Sequence, residues 1–199
     1  LTVTRKSCAV SVLVFWVLAL AACGGTLRYS QTAPEAKNFH PGKITVLPVE
    51  AGIYPEAGGV VDPIVAAVLA DRGWFSQVVS PEGVRKALAS SEDLKKVLTE
   101  YTQKFQTVSF SDPDLSKKIG EGLSVDAFLI VQVDYWNYAV ENDNKVAKAG
   151  LTMKLVEAAT GKIIWKASHD EAREYKFFKP AIPDVARSVA KDMISCMPH

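Results

Sequence analysis

Three histidines, three cysteines and a few acidic clusters are the side chains of this 199-residue chain suited to acid–base, nucleophilic or metal chemistry. His40, His169 and His199 stand far apart, and no Cys-x-x-Cys, His-x-x-x-His or His-Glu-x-x-His spacing joins them. A metal site with three or four gathered ligands therefore has no local signature, and none is expected. No Gly-x-Ser-x-Gly elbow occurs, and Cys196 falls on an apolar helical stripe, where a small buried hydrophobe is expected rather than a nucleophile. His169-Asp170-Glu171 has the composition of an acid–base pair, with a solvated strand end as the plainer alternative. Asp112 and Asp114 suit a helix cap. Asn142, Asp143 and Asn144 carry oxygen ligands but lack the glycine and closing glutamate of a calcium loop, so a hairpin turn is expected. No catalytic constellation emerges, and an enzyme is not expected.

Two segments have the makings of a binding surface. The loop Glu50–Gly59 leaves the carboxyl end of the first expected strand, where open α/β sheets hold ligands. Glu50, Tyr54, Gly58 and Gly59 are its candidate residues, and the glycine pair before a helix faintly resembles an anion-binding turn. The second segment is the aromatic cluster Tyr135, Trp136 and Tyr138. In a strand, Trp136 and Tyr138 share one face and Tyr135 points to the other. They suit either the end of a core or a docking surface, since tryptophan and tyrosine dominate binding hot spots.

Residues of these kinds need a scaffold, and the apolar pattern supplies one. Apolar residues make up 48% of the chain and charged residues 23%, enough to build one domain with a real core. Lys43–Val49 and Phe75–Val79 are short apolar runs that predict strands. Val61, Ile64, Val65, Val68 and Leu69 repeat at helical spacing, with Gly73 as the stop. Ser80-Pro81 starts a short helix, Leu94 to Phe105 forms another apolar stripe, and Asp112-Pro113 opens a third. Ala127–Val140 is a long strand, apolar on both faces in its first part, as at a helix-covered sheet centre. Ala147–Glu157 alternates in and out, Thr160-Gly161 makes a tight turn, and Ile163–His169 returns. Pro183-Asp184 opens a last helix bearing Val185, Val189 and Met193. The prediction is a single α/β (α+β) domain over 43–199, with a mixed sheet of about five strands flanked by helices. Twenty-three Lys and Arg against 22 Asp and Glu leave a net charge of +1, without the basic excess of a nucleic-acid binder.

The first residues carry an address. Arg5 and Lys6 precede a short apolar run too brief to span a bilayer comfortably, the pattern of a secretory signal over 1–22. The run ends Leu20-Ala21-Ala22-Cys23-Gly24, which resembles the bacterial lipobox. That resemblance implies cleavage before Cys23 and covalent lipid on its sulfur and new amine; no other cofactor is expected. Glycine rather than aspartate after the cysteine resembles the Gram-negative pattern forwarded to the outer membrane. Residues 24–42 are turn-rich and without apolar period, so 23–42 is expected as a lipidated cysteine and flexible tether, with a reach of at most about 65 Å. The domain would then lie in the periplasm, close to its membrane.

Three segments, ITVLPV at 44–49, KKIGEGLSVDAFLIVQV at 117–133 and LTMKLVEAATGKIIWKAS at 151–168, resemble envelope lipoproteins that share the fold of the amino-terminal domain of TolB. That group includes the CsgG-type curli-secretion lipoproteins, the LpoB-type activators of peptidoglycan synthases and small lipoproteins of unknown function. The resemblance implies a non-enzymatic, lipid-anchored interaction or assembly module, with other envelope proteins or further copies of itself as partners. The alternative is a binder of a small ligand or cell-wall fragment at the loop Glu50–Gly59.

Overall fold

A computed structural model describes residues 27–199. The expected signal at 1–22 and the lipidated Cys23 lie outside the described residues. Strands β1 (Tyr29–Thr32), β2 (Lys43–Val46), β3 (Gln77–Val79), β4 (Ala127–Glu141), β5 (Asn144–Glu157) and β6 (Ile163–Glu174) form one sheet in the order β1-β6-β5-β4-β2-β3. The pairs from β1 to β4 are antiparallel, while β4–β2 and β2–β3 are parallel. Helices α1 (Val61–Arg72), α2 (Pro81–Ser90), α3 (Glu92–Val108), α4 (Pro113–Leu123) and α5 (Ile182–Ile194) complete the domain. This is the expected mixed sheet with flanking helices, enlarged by one strand.

The additional strand lies inside the segment read as a tether. Tyr29–Thr32 pairs with Trp165–Ser168, and Trp165 Nε1 donates to Ser30 Oγ at 3.1 Å. A short 3₁₀ turn over Pro34–Asn38 follows, and Phe39 is buried. The strand has no apolar period because all four of its residues are exposed; main-chain hydrogen bonds to an edge hold it.

Helix boundaries follow local chemistry. Gly73 closes α1 at φ +66°. Ser80 and Ser91 cap α2 and α3, accepting from Gly83 N and Leu94 N. Asp112 caps α4, accepting from Asp114 N and Leu115 N, and its carboxylate also holds Lys104 at 3.0 Å. These contacts keep Asp112 below the usual carboxylate range, the Leu115 hydrogen bond foremost. Asn142 and Asp143 both take positive φ in the β4–β5 turn, the conformation a tight hairpin requires.

Two cores form on opposite faces of the sheet. On one, α1 and α5 pack against Leu129, Val131, Val133, Leu151, Met153, Leu155 and Trp165. On the other, α2, α3 and α4 cover Phe128 and Val156 only near the start of β4 and the end of β5. Each large side chain buried this way contributes about 1.5–3 kcal/mol. Tyr101, fully buried in the second core, shares a hydrogen bond with Ser111 Oγ at 2.8 Å, and burial pushes its hydroxyl up to about 12.

The expectation of a buried Cys196 on the last helix is corrected. Helix α5 ends at Ile194, so Cys196 leaves the apolar stripe and is partly exposed.

The seam between α4 and the β5–β6 turn offers a stability test. A Cβ on Gly120 would fall 2.5 Å from Ala158 Cβ and 3.1 Å from the Val125 carbonyl oxygen. Gly120→Val is expected to cost about 1–3 kcal/mol in urea unfolding, because the helix must move off the turn. Gly122→Ala, whose new methyl meets the movable end of Leu94, is expected to cost less.

Candidate functional site

Beyond Phe128 and Val156, the face that carries α2–α4 meets only the end of α3, through Phe105 and Gln106, among the described residues, and then turns polar. Gln132 and Asp134 of β4, Lys148, Thr152 and Lys154 of β5, and Lys166, Ser168 and Asp170 of β6 lie on that face by register. The period of two explains the change: β5 sends Ala149, Leu151, Met153 and Leu155 to one core and its polar residues to the other side.

A β-bulge shapes this surface. Val133 pairs with Leu151 and Tyr135 with Gly150, leaving Asp134 as the extra residue. Gly150 makes room for the Tyr135 ring; a Cβ there would lie 2.6 Å from Tyr135 Cδ2. The Asp134 carboxylate accepts from Thr152 Oγ1 at 2.7 Å. Past the bulge the alternation is inverted, so Trp136 turns toward α5 and is only 5% exposed. Trp136 is therefore core and leaves the candidate binding surface. Tyr138 follows it on the same side, 39% exposed at the rim, where its hydroxyl donates to the Pro180 carbonyl at 2.9 Å.

Two adjoining clefts lie on the open face and share Gln132 and Thr152. One, of about 530 Å³, lies between Arg28, the loop residues Gly52, Ile53 and Tyr54, and the strand residues Asp134, Tyr135 and Ser168. The other, of about 220 Å³, is bounded by Glu50, Phe105, Gln106, Ser109, Ile130 and Lys154. Of the residues expected from the loop, Glu50 lines the smaller of these clefts and Tyr54 the larger. Gly58 and Gly59 line neither cleft. Gly59 takes φ +74° in the approach to α1, and in the first turn of that helix the buried Asp62 accepts from Val49 N at 2.8 Å. Helix α1 starts without a side-chain cap, and Asp62 places a carboxylate in its first turn. A third cleft, also about 530 Å³, opens at the other end of the sheet beside Phe39, His40, Lys117 and Asp126.

Charge on the open face is laid out in linked pairs. Arg28 meets Asp170 at 2.9 Å, and Asp170 lies 3.7 Å from Lys148, which also holds Glu141 at 2.8 Å. Glu50 accepts from Gln106 Nε2. Lys154 differs: its ammonium sits 4.5 Å over the Phe105 ring, and burial lowers its pKa, with Lys166 adding to the fall and Glu50 and Asp134 opposing it.

The histidine cluster is dispersed. Strand β6 runs on to Glu174, so His169-Asp170-Glu171 is mid-strand rather than a strand end. Asp170 joins the open face, Glu171 pairs with Arg173, and His169 Nε2 lies 4.0 Å from Asp192 on α5. Among the described residues, no group of three or more His, Cys, Asp or Glu gathers to hold a metal ion. The open face offers hydrogen-bond donors and acceptors in rows, an arrangement suited to holding a polar chain or ligand.

No protein-family model matches this chain, and no curated protein matches it. Its fold is shared with solved structures at low identity. A PelC dodecamer from Paraburkholderia phytofirmans, in crystals of space group C2, matches with TM-score 0.56 at 16% identity, over 85% of this chain and 96% of that one. A second PelC dodecamer from the same organism, in space group P6, gives 0.54 at 16% identity, over 84% and 93%. Lipoprotein GNA1162 from Neisseria meningitidis gives 0.52 at 16% identity, over 79% of this chain and the whole of that one.

Lys154 yields a pH prediction. Its folded pKa lies below the unfolded value near 10.5, so folding favours the neutral amine and the charged form weakens the fold at neutral pH. Stability should rise as pH climbs from the lowered pKa toward 10.5. Lys154→Met is expected to melt higher than the parent at pH 7, with the gap narrowing as pH rises through that window, followed by thermal denaturation.

Proposed function

We propose that this chain is a lipid-anchored envelope protein that presents one α/β domain in the periplasm as a non-enzymatic interaction or assembly module. The observation that carries the reading is the open, polar half-face of the sheet, met only by the end of α3 among the described residues and bordered by Glu50, Tyr54, Arg28 and Lys154. A sheet face furnished with rows of donors and acceptors suits a partner that supplies the missing layer. The lipobox-like segment ending at Cys23 supports a lipid anchor, and Gly24 supports outer-membrane placement. The shared fold includes a protein solved as a dodecamer and a lipoprotein. A homo-oligomer is accordingly one form the assembly takes in this reading.

Cross-linking of the full-length protein in cells, followed by detergent extraction and mass spectrometry, tests it. Cross-links from Lys148, Lys154 and Lys166 to envelope proteins or to a second copy are expected, and Cys23→Ala is expected to release the chain from the membrane fraction and thin those links. An absence of links from that face, with anchoring intact, would remove the module reading.

The two clefts favour a second reading, a small-ligand or cell-wall-fragment binder. A ligand at a hundred times its dissociation constant stabilises a fold by about 2.7 kcal/mol. Muropeptides are expected to raise the melting temperature, and Thr152→Val to abolish that rise; no rise in the parent protein excludes this reading.

A further inference from the structure

Phe177 and Phe178, in the loop between β6 and α5, are 92% and 93% exposed. Adjacent phenylalanines held this far out of the core are costly in water unless something apolar receives them. Their loop has a built base. Tyr175 N donates to the Lys145 carbonyl at 2.9 Å, Tyr138 Oη donates to the Pro180 carbonyl, and the Tyr138 and Tyr175 rings meet edge to face at 6.1 Å. Lys179 Nζ rests 3.4 Å from the Tyr138 ring centroid. The two phenyl groups therefore project from an anchored platform.

Around them, Lys145, Lys176 and Lys179 are exposed; of the acids near by sequence and register, Glu141 is paired with Lys148, Glu174 is hydrogen-bonded to Asn144, and Asp143 and Asp184 are exposed. Apolar wedges ringed by lysines, with tyrosines behind, match the interface of an anionic bilayer. A second copy meeting the same loop would set lysine against lysine.

The sheet register points the amino-terminal chain the same way. Tyr29 pairs with Ser168, and from there β6 runs toward Glu174 and the loop, while Arg28, ahead of Tyr29, continues in that direction, as its pair with Asp170 records. Six steps separate Cys23 from Tyr29, and six separate Ser168 from Glu174. Six extended residues cover about 20 Å, so the anchor can reach the level of the phenylalanines.

We propose that the Phe177–Phe178 loop inserts into the same lipid surface that holds the Cys23 anchor, a second, non-covalent contact that fixes the domain's orientation. The inference rests on the lipid-anchored reading above.

The test uses the full-length lipidated protein reconstituted into vesicles of phosphatidylethanolamine and phosphatidylglycerol. Phe178→Trp adds an indole at the loop tip, and its emission is taken as the difference from the parent. Blue-shifted emission, quenched by lipids brominated on their acyl chains and lost on Lys176→Glu/Lys179→Glu substitution, is the expected result. Unshifted, unquenched emission from vesicle-bound protein overturns insertion and leaves the anchor standing. A blue shift that follows protein concentration without bromine quenching overturns it in favour of a protein contact. Failure of the parent chain to stay with the vesicles overturns the anchored reading itself.

Discussion

The paired course of β4 and β5 governs where nearly every other part of this molecule sits. Both strands are long, and every side chain on them has only two directions to point. From Ala127 to Val133 the odd-numbered residues of β4 face α1 and α5. Had that alternation continued, Trp136 and Tyr138 would stand on the open polar face. One extra residue, Asp134, reverses the count and carries the indole into the core under α5. Gly150 is the complementary half of this device, since any side chain there would collide with Tyr135. The bulge thus extends an apolar core toward the hairpin and leaves a polar surface behind it.

That division explains the uneven covering of the sheet. Helices α2, α3 and α4 gather over a patch defined by Phe128 and Val156, and stop where the strands cease to offer apolar residues. The lysine next to that boundary, Lys154, is caught between the Phe105 ring and the polar rows. A cation kept in a half-desolvated place weakens the fold at neutral pH. His169 lies on the other face of β6, toward Asp192 on α5, and its acidic sequence neighbours face other partners.

Much of the architecture is legible in the amino-acid sequence alone, because burial and capping leave marks on the chain. Gly73, Ser80-Pro81, Asp112-Pro113 and Gly161 each stand where the backbone geometry requires them. Strand β1 escapes such a reading because Tyr-Ser-Gln-Thr buries nothing and is held through its main chain, which has no sequence signature. Of the candidate surface, Glu50 and Tyr54 line clefts because their loop leaves the end of a parallel strand. Spacing puts Trp136 and Tyr138 on one face, but which face is core cannot be counted along one strand, because the bulge that decides it is a property of two strands together. The phenylalanine pair is in plain view as Lys-Phe-Phe-Lys, yet only the fold reveals that nothing in the described chain covers it.

The edge position of β1 also has a mechanical side. A tug on the chain ahead of Tyr29 would act along the strand axis, parallel to β6 and across the hydrogen bonds that join them. Load applied in that geometry shears the rungs as a group, whereas a pull at right angles would peel them away singly. A four-residue strand can thereby resist a pull along its axis far better than its length suggests. The indole of Trp165, latched to Ser30, ties that resistance to the interior rather than to the edge alone.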